Sequence, residues 1–123
     1  MKILTIGDVV GEAGLDALHA LLRRIKRDTG ADFVIVNGEN AAGNGVLPRQ
    51  AEDIFDAGAD VVTLGNHAFG KQQIVPYLDE HSDILRPANL APQSPGQGWG
   101  IFDGPQGSRL LVIDLIGRCD MKY

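Results

Sequence analysis

The stretch Val61-Val62-Thr63-Leu64-Gly65-Asn66-His67 decides how the rest of the chain is read. It opens as a short β-branched apolar run and ends in a glycine followed by two polar side chains. An apolar run of that length without alternation predicts a strand buried on both faces, as in a parallel sheet covered by other layers. Working outward, two runs of the same kind lie upstream, at Ile3–Ile6 and Phe33–Val36. Between the first two runs, Leu15, Leu18, Leu22 and Ile25 recur at helical spacing. Asp16, Arg23, Lys26 and Arg27 fall on other faces, and Gly30 ends the segment. A second helix starts at Pro48, a residue suited to a first turn, and runs through Ile54 and Phe55 to Gly58. Strand, helix, strand, helix, strand predicts a right-handed, mostly parallel α/β sheet flanked by helices.

Downstream the pattern loosens. A short helix is expected from Gln72 to Glu80, with Pro76 near its start or kinking it. The Pro- and Gly-rich stretch from Arg86 to Gly100 reads as an ordered loop, because Leu90 and Trp99 are out of place in a flexible linker. Two further strands, Trp99–Phe102 and Arg109–Leu115, are joined by a turn through Asp103–Gly107. The 123 residues, 44% hydrophobic, are enough for one domain with a core. A net charge of −5 with scattered Lys and Arg gives no footprint for duplex nucleic acid or an anionic membrane. A small phosphorylated ligand stays compatible, since a bound cation can supply the missing positive charge. The single cysteine, Cys119, excludes an intrachain disulfide and fits a reducing compartment. No stretch approaches the ~20 apolar residues of a membrane span, so a cytoplasmic protein is expected.

The turns after the first three strands carry the chemistry. Strand one runs into Gly7-Asp8-Val9-Val10-Gly11, strand two into Asn37-Gly38-Glu39-Asn40, and strand three into Gly65-Asn66-His67. In a parallel sheet these turns emerge on one edge, at the carboxyl ends of the strands, where α/β folds place ligand sites. Asp8, Glu39, Asn40, Asn66 and His67 thus form a set of oxygen donors plus one imidazole, suited to Fe, Mn, Zn or Mg. Taken alone, Asp8 reads equally well as a turn former or helix cap. Glu39 directly after a buried strand has little structural purpose, and Gly-Asn-His is the sharpest of the three turns. His19 and His81 read as solvated, and Asp32 and Asp60 as turn residues before strands. The glycines of 7–14 do not match the dinucleotide fingerprint, and the chain has no Walker sequence or nucleophile elbow.

Read together, the three turns resemble the calcineurin-like metallophosphoesterases, which show an Asp after strand one, Gly-Asp after strand two and Gly-Asn-His after strand three. Gly-Glu-Asn in second place narrows the likeness. So do Ile6–Gly11, Val36–Gly43, Thr63–His67, Arg86-Pro87-Ala88-Asn89 and Leu115-Ile116-Gly117-Arg118. These resemble the YmdB-like bacterial phosphodiesterases of 2′,3′-cyclic nucleotides, over essentially the whole chain. The resemblance implies a metallophosphoesterase sandwich of which residues 1–123 are the N-terminal portion, and a centre of two divalent ions. Asp8 and Asn40 would hold the first ion, Glu39 would bridge both, Asn66 would bind the second, and His67 would be the proton donor. Two ions would clamp the phosphate and activate a water for in-line attack, with a small cyclic nucleotide as substrate.

Two departures accompany the likeness. Such phosphoesterases complete their site with three histidines from later in the domain, and His81 does not sit in a motif of that kind. They also carry an aromatic and then an acid shortly after the histidine, whereas here His67 is followed by Ala68, Phe69 and Gly70. Two other readings stay open: a catalytically weak or inactive subunit that binds partners and forms a homo-oligomer through an exposed apolar face, and a metal-free nucleotide-binding module.

Overall fold

The computed structural model describes residues 1–121. Its elements in chain order are β1 (Ile3–Ile6), α1 (Gly11–Thr29), β2 (Phe33–Asn37), α2 (Pro48–Ala57) and β3 (Val61–Thr63), followed by α3 (Ile74–Glu80), β4 (Ile84–Leu85), β5 (Trp99–Asp103) and β6 (Arg109–Ile113). Strands β1 to β4 form one parallel sheet in sequence order, with Ile3 opposite Phe33, Ile35 opposite Val61 and Val62 opposite Ile84. Strands β5 and β6 pair antiparallel as a separate two-stranded sheet. The parallel pattern read from the first three apolar runs is therefore present. A fourth strand, β4, joins it. Two residues are too few to show periodicity, so β4 leaves no signal of its own in the sequence.

Alternation along the strands sorts the core into two halves. Val34, Val36, Val62 and Ile84 turn toward the helices and meet Leu15, Leu18, Leu22, Ala51, Ile54, Ile74 and Leu78. Phe33, Val61 and Leu85 turn the other way and meet Val112, with Ile35, Phe102 and Leu110 packed beside them. The result is three layers: helices, parallel sheet, hairpin. Each layer removes apolar surface from water at roughly 25 cal/mol per Å², the main favourable term in the fold. Burial on both faces, expected of all three early strands, holds for β2 and β3 and fails for β1. That strand lies at the sheet edge, and Ile3 and Thr5 on its hairpin side are exposed.

Aspartates close the opposite rim, where the strands begin. Asp32 accepts from the Lys2 backbone N–H at 2.6 Å, and Asp60 from the Val34 N–H at 2.8 Å. Both are turn residues with the added task of satisfying the first donors of neighbouring strands. The expected helix at Gln72–Glu80 starts two residues later, at Ile74, which leaves Pro76 in its first turn where a missing N–H costs least. His81 is not solvated as expected. Its ring stacks on Tyr77 at 3.7 Å between centroids, and its Nδ1 lies 2.8 Å from the Tyr77 carbonyl oxygen. His19 is exposed, in line with the sequence reading.

The loop from Pro87 to Gly98 is ordered by one side chain. Buried Arg86 donates to the carbonyl oxygens of Pro87 (2.9 Å), Pro95 (3.2 Å), Ser94 (3.3 Å) and Gly96 (3.5 Å), so the loop folds around a guanidinium. Asn89 extends the arrangement by accepting from the Ile116 N–H at 3.0 Å and donating to its carbonyl at 2.8 Å. The Arg-Pro-Ala-Asn sequence is thus an architectural device that fixes β5 and the end of β6 against the parallel sheet.

Candidate functional site

The carboxyl ends of β1, β2 and β3 reach one rim, and backbone hydrogen bonds knit their turns together. The Val9 N–H donates to the Asn37 carbonyl (3.1 Å) and the Gly11 N–H to the Asn40 carbonyl (3.2 Å), joining the first turn to the second. The Gly38 N–H donates to the Thr63 carbonyl (3.0 Å), which prolongs the β2–β3 ladder by one rung. Buried Gln50 of α2 braces the second turn from behind. Its amide donates to the Ala41 carbonyl at 3.1 Å and its oxygen accepts from the Leu47 N–H at 2.9 Å.

On this frame sit the five residues singled out in the sequence. Asn40 donates its amide to both Asp8 oxygens, at 3.0 and 3.2 Å. Glu39 accepts the His67 backbone N–H at 2.6 Å, a short bond of the charge-assisted kind, and its Oε1 lies 3.3 Å from His67 Nδ1. Asn66 Nδ2 stands 3.3 Å from His67 Nε2, which accepts in the tautomer protonated at Nδ1. The structure therefore brings Asp8 to Asn40, and Glu39 and Asn66 each to His67.

Two glycines make that closeness possible. A Cβ on Gly65 would lie 2.7 Å from the Glu39 Cδ, 2.8 Å from Oε1 and closer still to Oε2, so only a bare backbone lets the carboxylate reach the third turn. At Gly70 a Cβ would stand 3.1 Å from the Asn44 carbonyl carbon, 3.2 Å from the His67 oxygen and nearer still to the Asn44 oxygen. Any side chain at that position would crowd the Asn44 and His67 carbonyls in this packing.

Two orphaned polar atoms bear on whether a metal fits here. The Asn40 Oδ1 and His67 Nδ1 atoms are buried without a hydrogen-bond partner. A buried amide oxygen costs free energy unless something electropositive meets it, and it points to a cation beside the Asp8 carboxylate. The types of donor fit; their number is small. Among the described residues no group of three or more His, Cys, Asp or Glu side chains converges closely enough to hold a metal.

One further acid belongs to this neighbourhood and was not singled out in the sequence. Asp114, the residue after β6, is buried, and its Oδ2 accepts from the Leu64 N–H at 3.1 Å, one residue before Gly65. The sequence reading runs the last strand through to Leu115, which places Asp114 inside it as an ordinary strand residue, whereas β6 ends at Ile113 and leaves Asp114 as the first residue beyond. Burial chiefly pushes its carboxyl up from 3.8 to about 6. The Glu39 charge adds to the rise, and hydrogen bonds from Leu64 and Leu115 oppose it. A raised carboxyl means the folded chain binds more protons than the unfolded chain between about pH 4 and 6. Asp114 therefore contributes stability at low pH that is lost as pH rises through that window. At about 1.4 kcal/mol per pH decade the loss is at most ~3 kcal/mol. Urea unfolding of wild type and Asp114→Asn at pH 4 and pH 7 reads it: the wild type is expected to lose stability relative to the variant across that interval.

Elsewhere, a surface hollow lined by Leu22, Arg23, Lys26, Arg27 and Gly58 lies at the opposite rim, where the α1 cations answer the helix dipole. Among the described residues no helix is long and apolar enough to cross a membrane.

The parallel sheet thus gathers oxygen donors and one histidine on its carboxyl rim. The chain belongs to the YmdB-like protein family, whose model matches residues 4–123. It is 39% identical over 119 residues to the 2′,3′-cyclic-nucleotide 2′-phosphodiesterase of Bacillus subtilis, spanning 96% of this chain and 45% of that protein. It is 31% identical to a putative phosphatase/phosphodiesterase of Mycoplasma pneumoniae, covering 95% of this chain and 43% of that one. A hypothetical protein of Thermus thermophilus superposes with a TM-score of 0.89 at 37% identity, over 100% of this chain and 48% of its own. A novel phosphatase from Mycoplasma pneumoniae superposes with a TM-score of 0.86 at 30% identity, over 95% of this chain and 43% of its own. The chain thus spans less than half the length of the relatives it matches.

Proposed function

We propose that this chain carries part of a calcineurin-like, metal-dependent phosphodiesterase centre acting on small 2′,3′-cyclic nucleotides, with 3′,5′-cyclic nucleotides as further candidates. The observation that carries the reading is the Glu39 grip on the third turn beside an Asn40 oxygen buried without a partner. Asp8 and Asn40 would hold one divalent ion, Glu39 would touch both ions, and Asn66 would serve the second. The ions, when bound, supply Lewis-acid activation of the phosphoryl group and of an attacking water. Fe, Mn, Zn and Mg all accept this donor chemistry. His67 is the general acid that delivers a proton to the departing ribose oxygen. Glu39 orients that residue twice, through its backbone N–H and beside its Nδ1. Cleavage at one ester of a cyclic diester leaves a nucleoside monophosphate. Further donors are needed for full affinity, and a domain of the relatives' length has room for them.

One observation favours the subunit reading as a companion. The outer face of the hairpin exposes Trp99, Ile101, Leu111 and Ile113, with exposed Leu115 just beyond β6. Direct pairing of Trp99 with Ile113 and of Ile101 with Leu111 makes these one contiguous apolar strip, which a second copy of the chain would cover.

The test combines equilibrium dialysis against Mn²⁺, titration of a 2′,3′-cyclic nucleotide with and without EDTA, and hydrolysis of bis(p-nitrophenyl) phosphate. The expected result is Mn²⁺ uptake with nucleotide affinity that EDTA removes. Nucleotide affinity that survives EDTA would establish the metal-free binding module instead. Sedimentation of the same sample reads the companion proposal: a dimer supports it, and a monomer at 100 μM, roughly the concentration where a weak interface would fill, sets it aside.

A further inference from the structure

We infer that Asp114 is a positioning residue for this site: its carboxylate accepts from the Leu64 N–H and fixes the start of the Gly-Asn-His turn. The inference rests on the metal reading above and extends it to a residue outside the proposed donor set.

Three contacts hold Asp114 still. Its N–H donates to the Gly98 carbonyl (3.0 Å), its own carbonyl accepts from the Ala88 N–H (2.8 Å), and Oδ2 accepts from the Leu64 N–H (3.1 Å). Both of its peptide groups are thus tied into the loop that Arg86 organises, and the side chain has one direction to take. That direction is the stem of the third turn, two residues before Asn66 and three before His67.

A purely architectural role does not account for a carboxylate here. The Leu64 N–H already donates to the Leu85 carbonyl at 2.9 Å, so the ladder is satisfied without Asp114. An amide or an apolar group would be less costly at a buried position, because a carboxylate has about four acceptor sites and, among the described residues, accepts the Leu64 N–H. The Glu39 charge makes ionisation of Asp114 harder still. A buried acid held at a cost in the free protein, on the stem of the turn that carries Asn66 and His67, is an arrangement expected where a dication is to be received. Groups that orient and charge a donor set from behind typically alter metal affinity by about 10–100-fold.

The experiment measures Mn²⁺ affinity of the wild-type chain, Asp114→Asn and Asp114→Ala, with ¹H–¹⁵N spectra of the Leu64–His67 amides. Asparagine keeps the shape and the acceptor while removing the charge. The expected result is an Asp114→Asn chain with the His67 amide in its native position and Mn²⁺ affinity lowered by about 3–10-fold. Asp114→Ala is expected to displace the Leu64 and His67 amide resonances and to lower affinity by about 10–100-fold. Should the alanine variant fail to fold, the asparagine variant decides alone. Wild-type Mn²⁺ affinity in a folded Asp114→Asn chain would reduce Asp114 to an architectural acceptor and overturn the inference while leaving the metal reading intact. A wild-type chain that takes up no Mn²⁺ would overturn both.

Discussion

Glu39→Gln is expected to remove Mn²⁺ binding from this chain, lowering affinity by at least about 100-fold, while leaving the fold within about 1 kcal/mol of wild type. Two contributions to the apo stability oppose each other. The Glu39 carboxylate accepts the His67 N–H at 2.6 Å, and a neutral amide oxygen in its place accepts more weakly, a loss of about 1 kcal/mol. Removing the charge also relieves repulsion with buried Asp114, which offsets part of that loss. For metal uptake nothing compensates, because the proposed bridging group loses its charge outright. Glu39→Ala separates the two roles further. It leaves the His67 N–H without its acceptor, so the third turn is expected to loosen as well, visible as faster amide exchange at His67. Dialysis against Mn²⁺ and urea unfolding of the three chains check both halves. A Glu39→Gln chain that binds Mn²⁺ as the wild type does would remove Glu39 from the proposed donor set.

Much of this site could be read before any coordinates, and the reason is topological. A parallel sheet puts the ends of consecutive strands on one rim, so three short apolar runs fix which turns become neighbours. Gly-Glu-Asn and Gly-Asn-His come directly after those runs, and the Glu39–His67 contact is the consequence. What sequence could not supply is information carried by contacts distant along the chain. Strand β4 exists because Ile84 and Leu85 pair with Val62 and Thr63, a register no local pattern encodes. His81 looked solvated among acids, but stacking on Tyr77 is a contact one helical turn back that burial of α3 enforces. The exposure of Ile3 and Thr5 follows from the edge position of β1, and strand order is not written in the strand itself. Asp114 is a different case. The expected strand runs through to Leu115 and so takes Asp114 in as a strand residue, and distance from the other turns in sequence conceals the connection to Leu64.

Gly65→Ala is expected to disable the site through one methyl group. The added Cβ would stand 2.7 Å from the Glu39 Cδ and 2.8 Å from Oε1, distances that atoms in this packing cannot hold, so something must shift. Two responses are available. If the third turn retreats, Leu64 would pull away from both the Leu85 carbonyl and Asp114, breaking a ladder rung in the core. If the Glu39 side chain swings out instead, only its bond to the His67 N–H is lost. The second route is cheaper, because a side-chain rotation costs about 1 kcal/mol whereas moving close-packed backbone costs more. With the lost hydrogen bond the destabilisation is expected at about 1–3 kcal/mol, in the range of ordinary overpacking. Mn²⁺ affinity is expected to fall as far as in Glu39→Gln, although the carboxylate is still present in the chain. The double variant Gly65→Ala/Glu39→Gln discriminates between the two responses. If the glycine serves only to admit Glu39, the second substitution adds nothing to the first in Mn²⁺ binding, and the two losses are strongly non-additive. Full additivity would mean that Gly65 acts through the turn's backbone, and that Glu39 and the Gly-Asn-His turn contribute to the site independently.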